Sequence, residues 1–145
     1  MKKITDIAAI EEIRRLKARY FYFLDHKDWE GWRREVFAAD AVMEVPEMDA
    51  CVTGREEIIS FVETSIRDVK TIHHGHMPII EVFADGTATG IWAMEDVLFW
   101  PPNRFPGLEG RVHGYGHYHE TYRRDPEGWR ITSLKLTRLH LGAMP

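Results

Sequence analysis

The apolar positions in the N-terminal part of the chain recur with the period of an α-helix. Between residues 6 and 24 they fall three or four residues apart, and charged residues fill the opposite face. A second, short helix is predicted over residues 29–37 with Asp28 as its N-cap, and a third over residues 54–67. The stripe that the first helix would turn towards a core consists of Ile7, Ile10, Ile13, Leu16, Tyr20 and Leu24.

After residue 70 the apolar residues alternate with period two, which is typical of strands. Turn sequences such as Asp85-Gly86 separate these runs. Helices followed by a meander indicate an α+β domain with an antiparallel sheet. Strands this long coil strongly, so we expect a curved sheet that helices close into a cavity. The predicted strands are residues 41–45, 78–83, 87–100, 111–124 and 129–141.

Length, charge and cysteine usage narrow the class of protein. The chain has 145 residues, which fits a single domain over 1–145, and its 44% hydrophobic content is enough for a sizeable core. A net charge of -4 without a basic cluster argues against nucleic acid and membrane surfaces as partners. Cys51 is the only cysteine, so a reducing compartment is expected. Because no run resembles a signal peptide or a membrane span, we expect a cytoplasmic protein.

Two carboxylates interrupt the apolar rows of the predicted strand 87–100. Glu95 lies in one row and Asp96 in the other, and a carboxylate away from water is costly unless it is paired. Each is therefore either a structural ion pair or part of a site. Arg138, on the last strand, is a candidate partner of Asp96, a candidate holder of an anionic substrate group, or a stem packed on the sheet.

The remaining candidates for chemistry are Asp25 and the histidines. Asp25 ends the first helix, where the helix dipole disfavours an anion, although Asp is also a common turn residue. Most of the eight histidines fall in two clusters, residues 73–76 and 113–119. Each cluster contains a His-x-His spacing that is compatible with a metal but is weak evidence for one. Since no nucleophile motif is present, the pattern favours acid–base chemistry.

Several segments resemble the SnoaL-like members of the nuclear-transport-factor-2-like superfamily, with the bile-acid dehydratase branch as the most similar. The resemblance covers nearly the whole chain. The matching segments are IRRLKARY at 13–20, LD at 24–25, HHGHMPII at 73–80, ATGIW at 88–92, ED at 95–96, GWRI at 128–131 and the arginine at 138.

The resemblance implies a cone-shaped, curved sheet packed on three N-terminal helices, a cystatin-like roll with an apolar pocket inside. It implies an Asp–His dyad assisted by a Tyr, a second Asp and an Arg. Adjacent strand residues face opposite ways, so the sequence leaves open whether His73 or His74 faces the pocket. The implied catalytic residues are Asp25, His73, Tyr20, Asp96 and Arg138, and those expected to bind substrate are His74, His76, Trp92, His117 and Tyr118.

The function expected from this set is a cofactor-independent lyase that eliminates water, or a similar group, from a hydrophobic cyclic molecule. An isomerase or cyclase that uses the same base, and a non-catalytic binding module, are the alternatives. No metal and no cofactor are expected to be required. Because both rows of the strand 87–100 are apolar, we also expect a homo-oligomer, with a trimer favoured over a dimer.

Overall fold

The computed structural model describes residues 1–104, 107 and 110–143, and in this part three helices pack against one eight-stranded sheet. The helices are α1 (Ile7–His26), α2 (Trp29–Gly31), which continues into a π-helical turn Trp32–Val36, and α3 (Arg55–Ile66). The strands are β1 (Lys3–Ile4), β2 (Phe37–Val45), β3 (Ala50–Thr53), β4 (Lys70–Gly75), β5 (Ile79–Phe83), β6 (Thr87–Trp100), β7 (Gly110–Asp125) and β8 (Gly128–Ala143).

Helix α1 begins and ends with side-chain and backbone caps. The Asp6 carboxylate accepts a hydrogen bond of 2.9 Å from the backbone N–H of Ala9, and the helix ends at Lys27, which has a left-handed φ of 58°. The predicted stripe is buried from Ile13 onwards, whereas Ile7 is exposed. This register turns Tyr20 towards the core and leaves Asp25 in the last turn, beside the sheet.

The strands follow the order β1-β5-β6-β7-β8-β2-β3, and β4 pairs with β6 beside β5. All pairings are antiparallel except that of β2 with β8, so the prediction of an antiparallel sheet needs this correction. Hydrophobic alternation reports which face a residue occupies and carries no information on strand direction. The parallel pairing begins at Phe37, which explains why β2 starts before the predicted residue 41 and why the second helix stops at Val36.

The long strands agree closely with their predicted bounds, and β6 matches them at both ends. The even-numbered residues of β6 face the helices and are buried, from Ala88 to Leu98, whereas the odd-numbered row is partly exposed. Strands β1, β3 and β4 were not predicted, because they are short and β4 places polar side chains on its inner face. None of the helices within the described ranges has the length and apolar character needed to cross a bilayer.

Candidate active site

A cavity of about 610 Å³ lies between the helices and the inner face of the sheet. Its size lies within the range that is common for small-molecule sites. Nine polar or ionisable side chains of the described residues border it, and apolar side chains form much of the remainder. The polar set is Tyr20, Glu47, Thr64, Ser65, His73, Asp96, Arg104, Tyr118 and Arg138, and the apolar set includes Leu24, Met43, Phe61, Leu98, Trp100, Leu134 and Leu136.

His73 lines the cavity and is held from behind by Asp25. Its Nδ1 lies 2.7 Å from Asp25 Oδ1, and its backbone N–H donates to Asp25 Oδ2 at 2.9 Å. An ionised carboxylate has no proton to donate, so Nδ1 carries the hydrogen and the Nε2 lone pair is left for the cavity. Nε2 lies 3.8 Å from Asp96 Oδ2, which is too far for a hydrogen bond but close enough to stabilise an imidazolium.

Asp25 accepts three hydrogen bonds from strand β4. The third comes from the hydroxyl of Thr71, which donates to Oδ1 at 2.9 Å and itself accepts a hydrogen bond from the Lys27 ammonium at 2.9 Å. Partial burial by itself raises the pKa of Asp25, but the hydrogen bonds and charge of His73 outweigh this effect and hold the pKa below its usual value. The carboxylate is therefore ionised near neutral pH, as an orienting group for the histidine requires.

Asp96 on β6 and Arg138 on β8 form a bidentate ion pair across the intervening strand β7 in the same wall. Arg138 donates to the two Asp96 oxygens at 2.9 and 2.8 Å, and its Nε donates to Glu47 at 2.7 Å. Burial lowers the pKa of Arg138, but the two carboxylates more than offset this and keep it raised. Because both Asp96 oxygens accept hydrogen bonds from the guanidinium, Asp96 is poorly placed to donate a proton to a substrate.

Tyr20 and Tyr118 place two phenol groups in the cavity wall, with their ring centroids 5.8 Å apart. Burial, reinforced by the charge of Glu120, raises the pKa of Tyr20, and burial raises that of Tyr118. Both phenols therefore stay protonated. Behind them the Lys17 ammonium lies 3.6 Å from the centroid of each ring.

Lys17 belongs to a buried network beneath the phenols. It forms an ion pair with Glu120, and both side chains are inaccessible to solvent. Tyr122 donates to the other Glu120 oxygen and accepts a hydrogen bond of 2.9 Å from the Trp92 indole. Burial lowers the pKa of Lys17 to about 8, despite the opposing effect of Glu120. The rings of Tyr20 and Tyr118 pack against this network through Lys17, which restricts their positions.

The structure brings together Tyr20, Asp25, His73, Asp96 and Arg138, the five side chains expected to be catalytic. Of those expected to bind substrate, only Tyr118 lines this cavity.

The other four do not line this cavity. His74 is exposed on the outer face, and its Nδ1 lies 3.7 Å from Glu95 Oε1. His117 pairs across the sheet with Ala93 of the outward row. His76 and Trp92 line a separate cavity of about 450 Å³. Strand alternation explains His74 and His117, because neighbours of inward residues face outwards. Trp92 lies in the inward row of β6 but borders the second cavity together with residues of α1.

The His-x-His spacings do not assemble a metal site. Among residues 1–104, 107 and 110–143, no three His, Cys, Asp or Glu side chains converge as metal ligands would. His76 and His113 instead hydrogen-bond to separate oxygens of Glu95, at 3.2 and 2.9 Å.

Three side chains that matter to the site were missed by the sequence reasoning. Thr71 stands two residues before His73, and this spacing on a strand is the signal that would have found it. Lys17 stands three residues before Tyr20 on the buried stripe of α1. Glu47 lies in a short 3₁₀ turn between β2 and β3 and meets Arg138 only through the tertiary fold.

Comparisons with known proteins agree with this architecture. A protein of Gibberella zeae named "Probable cyclase FGR4" is 26% identical over 140 residues, which cover 88% of this chain and 89% of that protein. The hexachlorocyclohexane dehydrochlorinase LinA-type3 of Novosphingobium barchaimii has a TM-score of 0.77 at 16% identity, over 95% and 91% of the two chains. A candidate scytalone dehydratase of Novosphingobium aromaticivorans has a TM-score of 0.80 at 19% identity, over 96% and 89%.

At such identities the solved structures establish a shared fold: helices packed on a curved sheet around a cavity. The sequence supports a family assignment as well, because the model of the SnoaL-like domain matches residues 5–135. This range includes Tyr20, Asp25, His73 and Asp96 and ends shortly before Arg138. The chain is thus a member of the SnoaL-like domain family.

Proposed function

We propose that the protein is a cofactor-independent lyase that eliminates water, or a similar leaving group, from a hydrophobic cyclic molecule. The observation that carries the proposal is the arrangement of His73. One ring nitrogen is bound to a carboxylate, and the other opens into an apolar cavity. A simple binding site has no need of a carboxylate behind a histidine, whereas a general base does.

The proposed reaction begins with a proton on the carbon next to an activating group of the substrate. His73 Nε2 takes this proton, the C–H electron pair forms the new double bond, and the bond to the leaving hydroxyl breaks. The departing oxygen accepts a hydrogen bond from a phenol and a proton from the imidazolium, so that water leaves and His73 is neutral again. Asp25, and more distantly Asp96, stabilise the imidazolium in the interval.

The names of relatives support a lyase or a related activity. Dehydrochlorination, which gives one structural neighbour its name, is also an elimination that begins with removal of a proton. The 26% identical relative is named a cyclase, and this favours a second candidate in which the same base drives ring closure or isomerisation without loss of a group. In either proposal His73 removes the proton, so the two candidates differ in whether a leaving group is lost or the electron pair of the broken C–H bond is used for ring closure or isomerisation.

The test is a panel of cyclic β-hydroxy ketones incubated with the protein in D₂O and followed by mass spectrometry. Loss of water that His73→Ala abolishes would support the lyase. Deuterium uptake or ring closure without loss of water would support the second candidate. Ligands that bind without any reaction would contradict both and indicate a binding module.

A further inference from the structure

The positive charges that border the cavity are the starting point. Among the described lining residues, the guanidinium groups are those of Arg104 and Arg138. An unpaired guanidinium in an apolar cavity would attract a carboxylate or phosphate group of a substrate. Whether either group is available therefore decides the charge of the molecule that the cavity accepts.

The guanidinium N–H groups through which Arg138 could bind a substrate carboxylate are already occupied. Asp96 takes Nη1 and Nη2, and Glu47 takes Nε at 2.7 Å, while only 11% of the Arg138 side chain is exposed. One positive charge thus faces two carboxylates. An anionic substrate group would have to displace one of them.

Arg104 is also compensated. Its Nη2 lies 2.6 Å from both oxygens of Asp68, and its Nη1 donates to the backbone carbonyl of Ser65 at 3.0 Å. Asp68 neutralises the charge of Arg104, so the net charge at the polar end of the cavity is set by Arg138, Asp96 and Glu47. This net charge is negative, and the carboxylate of Asp25 behind His73 makes it more so.

We propose that the cavity selects neutral ring compounds against their carboxylate analogues, and that Glu47 sets this selectivity through the negative charge it places at Nε of Arg138. A buried anion would meet uncompensated negative charge in an apolar surrounding, where repulsion is stronger than in water. The inference deepens the proposed function and rests on it in one respect, that the cavity is where substrate binds. The substrate class is then a neutral hydroxylated or ketonic ring molecule.

The test compares 2-naphthol with 2-naphthoate, which share a ring system and differ in charge at neutral pH. Isothermal titration calorimetry measures both affinities, and the imidazole NMR signals of His73 report whether each probe enters the cavity. For the native protein, 2-naphthol should bind at least about tenfold more tightly than 2-naphthoate, a difference of about 1.4 kcal/mol.

The decisive variant is Glu47→Gln, which removes a charge and keeps the shape of the side chain. We expect the affinity for 2-naphthoate to rise about fivefold or more, with that for 2-naphthol changing less than about twofold. Glu127→Gln is the matched control, because the Glu127 side chain is 86% exposed and lies at the β7–β8 turn. It should leave both affinities unchanged.

Each remaining outcome has a defined meaning. Equal affinities in the native protein, an unchanged ratio in Glu47→Gln, or no detectable binding of either probe would overturn the inference. Loss of turnover in His73→Ala with equal probe affinities would leave the lyase proposal standing without the charge selectivity. A retained selectivity with no turnover of any substrate would leave a binder of neutral rings.

Discussion

His73 and His74 are chemically identical neighbours that differ in the side of β4 they occupy. His73 pairs with Asp96 across the strands, stands on the inner face and is 9% exposed in its side chain, whereas the His74 side chain is 62% exposed. At the scale of single residues, therefore, position on the strand decides which ring can act. The same alternation places Thr71 behind Asp25 and sends Ile72 outwards.

The two histidines provide the sharpest comparison of variants. His73→Ala should reduce the turnover of any substrate later found by a factor of about a hundred or more, because the general base is lost. His74→Ala should change it far less. Steady-state kinetics with circular dichroism as a check on folding would measure this, and an active His73→Ala beside an inactive His74→Ala would refute the assignment of the base.

Asp25→Asn should lower turnover by about a hundredfold or more while the fold is retained. An amide presents a donor where one carboxylate oxygen now accepts, so it cannot satisfy all three hydrogen bonds from Thr71 and His73. It also removes the counter-charge of the imidazolium. Single-turnover kinetics would measure the loss, and near-native rates in the variant would show that Asp25 has only a structural role.

The lowered pKa of Asp25 also predicts how stability depends on pH. A carboxylate with a lower pKa in the folded than in the unfolded state stabilises the fold above the unfolded value of about 4, and this contribution is lost as pH falls through the folded value. Asp25→Asn should therefore flatten the acid side of the stability profile. Urea unfolding at a series of pH values would test this, and a parallel acid decline in both proteins would contradict it.

Strand β7 has a glycine, Gly114, where the ion pair between Asp96 and Arg138 crosses it. At Gly114 a Cβ atom would overlap Nη1 of Arg138 and Oδ1 of Asp96, so the absent side chain leaves the space in which this ion pair lies. Gly114 pairs directly with Asp96 across the sheet. At the scale of elements, the strand provides room for a contact between its two neighbours, β6 and β8.

Gly114→Ala should therefore separate Arg138 from Asp96, reduce stability by about 1–3 kcal/mol and lower turnover. Gly142→Ala on β8 is the control, since its Cβ would meet only the end of the flexible His140 side chain, 2.9 Å from Nε2. Thermal unfolding and kinetics would distinguish the two variants. Equal effects at both positions would argue that the space at Gly114 is not specifically required.

At the scale of the whole molecule, the sheet leaves apolar side chains on its outer face. Ile72, Ile79, Ile91 and Tyr115 are between 37% and 64% exposed, and cross-strand pairing places them on the same side as the outward row of β6. Exposed apolar area of this kind is typical of association surfaces. We propose that copies of this chain cover the face, with a trimer favoured over a dimer.

Multi-angle light scattering would measure the oligomer directly. We expect a mass of three chains, and Ile91→Glu should shift the population towards smaller species because it places a charge within the contact. Thr89→Glu, in the same row near the start of β6, is a milder comparison. A native protein that elutes as a 17.0 kDa monomer at all concentrations would refute the proposal.

Residues that violate local rules indicated the candidate catalytic set in the sequence, whereas partners that lie far apart in the chain were missed. Asp25 at a helix end and Asp96 in an apolar row are anomalies visible in the sequence, and both lie at the site. Lys17 and Glu120 each interrupt the buried positions of their own element, but they are 103 residues apart, so local spacing does not predict their pairing. Glu47 likewise lies 91 residues before Arg138, in a turn without distinctive spacing.

The sequence by itself determined the α+β class and the long strands, because hydrophobic period is a local property. It also indicated Asp25 and the histidine pair at 73–74 as candidates, because they lie in segments typical of the family. Only the tertiary structure decided which histidine faces the cavity, the parallel pairing of β2 with β8, and the use of Arg138 by two carboxylates. The physical reason is register. A shift of one residue between strands exchanges the two faces, and this choice is made by the packing of the whole core.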